Sequence, residues 1–363
     1  MHLFIRTVLR CLLPALLALS GLIPLPAAAQ PAPGKLLIGL GTQPTLIYGV
    51  HYLMVTRGFL KEEGLDAEFV VLDGTATLVT QMAQKRIFTA WPNPDALILS
   101  RQPGRDPLPL RCAYNGVRTT AWEFAVPEAS PIRTLADLKG KRIGVISLAM
   151  GNVPITRALM AELGVKDYEL MPVSQGAPAF RALQTGAVDA LNLFDGQHLQ
   201  LEFAGTRIRR LEQPDKYENQ FSNCWVFHED VIRGQGDQVA RFGRAFAKAS
   251  IACQANWNAC VRSYWQQFPN QKPTEGTEEQ KLERSVKVLR ARTDKFFNFR
   301  PGEPRRLGAY AEQDWLNFVE ALHAGGQLKT RDIPVRELYT NQFVEAYNRF
   351  DVEAVARTAR GWQ

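Results

Sequence analysis

Residues 130–196 read SPIRTLADLKGKRIGVISLAMGNVPITRALMAELGVKDYELMPVSQGAPAFRALQTGAVDALNLFDG and spell out nearly a whole α/β unit. Ile143–Ile146 is a short apolar run behind a Lys-Gly-Lys-Arg turn, the pattern of a buried strand. A polar, glycine-containing loop follows at Ser147–Asn152, then a helix from about Val153 to Leu163 closed by Gly164. A second helix carries Phe180 and Leu183 three residues apart and ends near Gly186. Val188–Phe194 is the next strand, with Asp195 and Gly196 at its carboxyl end. In such sheets, strand ends that open onto helix N-termini are where small ligands sit.

Upstream, Leu36–Leu40, Ala67–Leu72 and Ile87–Ala90 read as strands, separated by helices over Leu46–Glu63 and from the loop "DGTAT" through Gln84. This rhythm implies right-handed crossovers and a parallel sheet. Leu110–Tyr114 and Trp122–Val126 read as strands leaving that unit, and Asn223–Phe227 as the strand that returns to it. Helices are predicted over Asp237–Gln254, Ala259–Phe268, Gln280–Arg292, Glu312–Ala324 and Val335–Arg349. A chain of this length exceeds one comfortable core. The expected fold is α/β with two lobes, each a mainly parallel sheet flanked by helices, joined by a two-strand hinge. Lobe 1 is discontinuous, 35–120 and 228–363, and lobe 2 is 121–227.

Met1–Ala29 has the form of an export signal: Arg6 and Arg10, an apolar stretch Leu12–Ile23, and a small-residue cleavage site at Ala27–Ala29. The alternative, a membrane anchor, is disfavoured by the short stretch and by Pro14 within it. The expected location is therefore the periplasm, with cleavage near Ala29. Removing Arg6 and Arg10 takes the net charge from +7 to +5. The basic residues are scattered. "RIRR" at Arg207–Arg210 lacks interleaved aromatics and reads as a solvated basic face, not a nucleic-acid surface. Cys112, Cys224, Cys253 and Cys260 match no zinc spacing, and no metal site is expected. Cys253 and Cys260 flank "QANWNA", which reads as a turn between helices; either a bridge or two buried thiols suits them. A Cys112–Cys224 bridge requires the two strands to be neighbours.

"IRTLADLKGKRIGV", the helix ending in "LG", and "ALQTGAVDAL" resemble the second lobe of type II periplasmic solute-binding proteins of the NMT1/THI5-like, nitrate/sulfonate/taurine branch. "RGFLKEEGLDAEFVVLDG" at Arg57–Gly74 resembles that family's first helix end and second strand. Asp314–Tyr347 is similar to its C-terminal helical signature. One departure is "AQKRIFTAW" at Ala83–Trp91, where relatives usually carry a small-residue-Gly-x-Asp turn.

In that architecture five loops converge on a cleft: Gly41–Thr45, Asp73–Thr77, Trp91–Asp95, Ser147–Asn152 and Asp195–Gln197. The amides of Gly74 and Thr75 open a helix and suit an anion, as do Ser147, Gly151 and Asn152 on the other side; ordinary capping is the bland alternative. Trp91 and Trp122 suit stacking on a planar ligand, or core and hinge packing. Tyr48 and His51 share a helix face, with His51 read first as a buried structural histidine. Gln43, Asn93 and Asp195 are hydrogen-bonding candidates that turn chemistry also explains.

No nucleophile elbow, zinc helix or phosphate-binding loop stands in the sequence, and no cofactor is expected. The resemblance implies a monomeric, non-enzymatic solute-binding protein of an ABC importer, partnered by a permease and its ATPase as separate chains. Its cargo would be a small anionic or aromatic organic solute. The alternatives are a biosynthetic enzyme on the same fold, similar to those making the thiamin pyrimidine, and a ligand-sensing partner of a membrane receptor.

Overall fold

The computed structural model describes residues 35–363; the export signal expected over Met1–Ala29 lies outside them. The strands are β1 (Leu36–Leu40), β2 (Ala67–Val71), β3 (Thr89–Ala90), β4 (Leu110–Asn115), β5 (Trp122–Pro127), β6 (Lys141–Val145), β7 (Tyr168–Pro172), β8 (Ala190–Phe194), β9 (Ile208–Leu211) and β10 (Cys224–His228). They form two five-stranded sheets, ordered β2-β1-β3-β10-β4 and β7-β6-β8-β5-β9.

The two orders are the same pattern. In each sheet three strands consecutive in sequence, β1–β3 or β6–β8, pair in parallel, and one strand, β10 or β5, runs antiparallel between its neighbours. Each antiparallel strand is the first one the chain makes after crossing between sheets, through 116–121 and 212–223. β8 and β10 are buried along their whole length, as their apolar runs require, whereas β2 and β7 lie half-exposed at edges.

Some sequence expectations are corrected. The single helix expected over Leu46–Glu63 is three pieces, Leu46–Tyr48, Gly49–Thr56 and Phe59–Glu62. Gly58, at φ +78°, breaks it before Phe59. The helix expected over Val335–Arg349 forms only as two short pieces, Val335–Glu337 and Val344–Tyr347. The Cys112 amide donates to the Leu338 carbonyl at 2.9 Å and the Thr340 amide to the Cys112 carbonyl at 2.9 Å, so this stretch bridges to β4 instead. "RIRR" is a solvated face only at Arg207: the rest enters edge strand β9, where Arg209 donates to the carbonyls of Glu128, Ser130 and Ile132.

Cys112 and Cys224 are bridged, tying β4 to its neighbour β10 with Cα atoms 6.0 Å apart. Cys253 and Cys260 are bridged across the break between the helices Gly236–Ala255 and Trp257–Gln267. Asn256 makes that break, its side chain accepting from the Ala259 amide at 3.0 Å. The apolar interior does not stop at either sheet. Leu97 and Ile98, which follow β3, share a cluster with Leu159 on the helix Asn152–Glu162 and with Trp315 and Phe318 on the helix Glu312–Ala324. Among the described residues no helix is long and apolar enough to cross a membrane.

Candidate functional site

The loops at the carboxyl ends of the two sheets meet in a seam. Gly74, at φ +71°, starts the helix Gly74–Ala83; a Cβ there would fall 2.8 Å from the Ala149 carbonyl oxygen of the opposite loop. The Ala76 amide donates to the same oxygen at 3.4 Å. Gly151 sits still closer. A Cβ on it would lie 2.6 Å from Asn93 Cβ, 2.7 Å from Thr75 Oγ1 and 2.8 Å from Asp95 Oδ1. Only glycine permits this approach, so Gly74, Thr75, Asn93, Gly151 and Asn152 are brought together. Asn152, fully buried, donates from Nδ2 to Asn192 Oδ1 at 2.5 Å, and Thr156 donates to the same oxygen at 3.0 Å. Gln43 and Ser147 lie at the rim. The Gln43 carbonyl accepts from Gln175 Nε2 at 3.1 Å, while Ser147 Oγ accepts from the Ala149 amide at 3.2 Å in a local turn.

Behind the seam is an aromatic cluster. His51 is 1% exposed, with ring centroids of Trp91 at 4.9 Å, Tyr48 and Phe246 at 5.1 Å and Trp225 at 5.3 Å. Neither imidazole nitrogen has a hydrogen-bond partner among the described residues. Burial, with a smaller push from the Arg292 guanidinium, lowers its pKa to about 3, so the ring is neutral. Tyr48 and Thr42 share a hydrogen bond at 3.0 Å. His51, Tyr48 and Trp91 are all buried.

A second cluster surrounds Trp122 and Asp195. The Trp122 ring lies 4.1 Å from that of Phe194, and the Arg292 guanidinium lies 4.9 Å from the Phe194 ring. Asp195 opens the helix Asp195–Phe203 and pairs with Arg292 Nη2 at 3.1 Å and Lys295 Nζ at 2.8 Å. Those two basic residues come from the end of the helix Glu278–Thr293 and the turn after it, so this pair too crosses the seam. Lys295 also donates to the Thr120 carbonyl at 2.7 Å, in the first crossing. Nearby, burial raises the Glu123 carboxyl, but the His198 hydrogen bond and the charges of His198, Arg210 and Lys295 outweigh it and hold it at about 2.

Beside this cluster is the open space: a pocket of about 740 Å³ whose walls include Trp122, Glu123, Thr120, Lys295, Phe297 and Glu218. It spans both crossings and the segment after the Glu278–Thr293 helix, and its volume falls in the range of small-molecule sites. Of the sequence candidates, Trp122 alone lines it. Sequence reasoning missed Arg292, Lys295 and Glu123, and reached Asp95 only as the end of the loop Trp91–Asp95. "RARTDKF" looks like an ordinary charged helix end, and nothing local says that Arg292 and Lys295 reach Asp195 about a hundred residues upstream.

No curated protein matches the chain. Among solved structures, a protein from Bordetella bronchiseptica RB50 is similar at 19% identity and TM-score 0.68, covering 87% of this chain and 97% of that one. The alkanesulfonate-binding protein SsuA from Xanthomonas axonopodis pv. citri, bound to MOPS, is similar at 17% identity and TM-score 0.61, covering 86% and 99%. The desulfurization enzyme DszB in complex with biphenyl-2-sulfinic acid is similar at 16% identity and TM-score 0.56, covering 87% and 99%. At these identities the likeness is one of fold, the two-lobed α/β architecture of periplasmic binding proteins, on which both binders and an enzyme are built. The NMT1/THI5-like family model matches residues 49–258, more than half of the sequence, and the chain belongs to that family.

Proposed function

We propose that this protein is the solute-binding component of an ABC importer. It captures a small organic solute between two lobes, 35–120 with 228–363 against 121–227, in the periplasm. It then delivers the solute to a membrane permease whose ATPase is a separate chain. The observation that carries this reading is the seam itself: loops from the carboxyl ends of both sheets touch through Gly74 and Gly151, with a pocket of about 740 Å³ alongside. Two lobes that meet through such loops can bury a ligand and report its capture as a change of shape.

The solute is an anionic or aromatic organic molecule. Trp122 and Phe297 contribute aromatic rings to the pocket wall, while Lys295 beside them is already paired with Asp195. The alkanesulfonate-binding protein similar in fold supports trying sulfonates first. The test is calorimetry and thermal shift with MOPS, an alkanesulfonate, an aromatic carboxylate and nitrate. One solute should bind at one-to-one stoichiometry, raise the melting temperature and be recovered unchanged. Trp122→Ala should weaken that binding at least tenfold. Sustained conversion of a bound compound would overturn the reading in favour of an enzyme on this fold.

A further inference from the structure

One carboxyl group in the seam has no counter-charge. Asp95 is 3% exposed, and its Oδ1 has no hydrogen-bond partner among the described residues. It faces Gly151 of the opposite loop, where a Cβ would stand 2.8 Å away. The next residue, Asn152, uses Nδ2 on Asn192, and its own Oδ1 is likewise unpartnered. Asp95 and Asn152, on opposite sides of the seam, thus each keep a buried oxygen that no side-chain donor serves.

The ionisable groups on the packed elements are engaged or turned elsewhere. Asp73, preceding the helix Gly74–Ala83, is exposed. On the helix Asn152–Glu162, Arg157 is exposed and Glu162 accepts from Lys216 and Tyr217. On the helix Asp95–Ser100 and just beyond it, Arg101 lies beside Glu229 and Glu337. No ion pair joins any of them to Asp95.

We infer that Asp95 carries a proton whenever the two sheets meet at this seam, so that closing the lobes takes up a proton and opening them releases it. A carboxylate sealed here without a partner would be costly, whereas the neutral acid brings no charge into the buried seam. Burial alone raises the Asp95 pKa to about 8, opposed only by its own backbone amide. Opened to water, the same group returns to about 3.9. Because the closed-state pKa is the higher one, closure is favoured fully below about pH 4 and loses ground as pH rises to about 8. The closure constant falls by up to tenfold per pH unit across that window. Lobe opening belongs to the solute-binding reading above; the protonation of Asp95 does not depend on which solute, or whether any, is bound.

The experiment uses the full mature chain with nitroxide labels at Asp73→Cys and Leu148→Cys, both exposed and on opposite sides of the seam. Pulsed electron paramagnetic resonance should show the short-distance population falling from pH 5 to pH 9. In Asp95→Asn, which cannot ionise, that population should be independent of pH. A flat profile without the Asp95 substitution, or the same pH response with it, overturns the inference. Should Asp95→Asn not fold, carbon-13 carboxyl titration of the unsubstituted protein decides: a midpoint above pH 6 for Asp95 sustains it, and one near pH 4 overturns it.

Discussion

The Trp91 indole lies directly over Gly116: a Cβ on that glycine would fall 1.7 Å from the far edge of the ring. Gly116 is the first residue of the outgoing crossing, and Asn223, the last of the returning one, donates from Nδ2 to the Trp91 carbonyl at 3.0 Å. The loop after β3 therefore touches both hinge segments through one residue. Gly116→Ala forces the indole aside. We expect a loss of about 1–3 kcal/mol in urea unfolding together with a shift in tryptophan emission. An unchanged midpoint and spectrum would mean the ring does not rest there.

Gly325 holds the helix Glu312–Ala324 against the helix Asn152–Glu162. A Cβ on it would come within 2.0 Å of Ala158 Cα, which is backbone and cannot swing away. Gly325→Val should separate these helices and expand the molecule. Small-angle scattering should report a larger radius of gyration; an unaltered radius with normal stability counts against tight packing at this point.

His51 makes a pH dependence of opposite sign to that of Asp95. Its pKa in the folded protein is lowered to about 3, below the ordinary value of 6.5. The unfolded chain thus binds the proton first, and stability is lost as pH falls from about 6.5 towards 3. His51→Leu removes two buried nitrogens that lack partners. It should match the parent protein within about 1–2 kcal/mol at pH 8 and exceed it increasingly in acid. Parallel stability–pH curves would refute this.

Asp195 and Arg292, both about 3% exposed, form a buried pair across the seam. Asp195→Asn leaves the guanidinium with no carboxylate partner and should cost about 3–5 kcal/mol. Adding Arg292→Met should restore part of that loss. A double variant as damaged as the sum of the single ones would show that the two side chains act independently.

The two disulfides should differ in weight. Cys112–Cys224 closes a loop with a separation of 112 residues, Cys253–Cys260 one of 7. Loop entropy assigns the first roughly 5 kcal/mol and the second roughly 2–3. Paired alanine variants compared by urea unfolding check the order, and equal losses would contradict it.

The strands with continuous apolar runs were legible, from Leu36–Leu40 to the β8 sequence ALNLF, because full burial leaves a mark in composition. β7 and β9 were not recognised. Half-exposed edge strands carry mixed residues, and in β9 the arginines find partners only after folding. At the site, turn chemistry exposed Gly74, Thr75, Gly151 and Asn152. It could not reveal Asp95 as an orphan, since being unpartnered is a property of what lies opposite. The Asp195–Arg292 pair was hidden for the same reason, its halves lying 97 residues apart.

The shared strand order has a consequence for how the chain assembles. The sheet built from β5 to β9 is complete once Leu211 has been made, because all its strands are consecutive. The other sheet must keep a gap between β3 and β4 until β10 arrives. As the chain is made from its N-terminus, the later sheet can therefore be completed before the earlier one. The earlier strands wait for residues 224–228 to be threaded between them, and Cys112 gains its partner only at that moment.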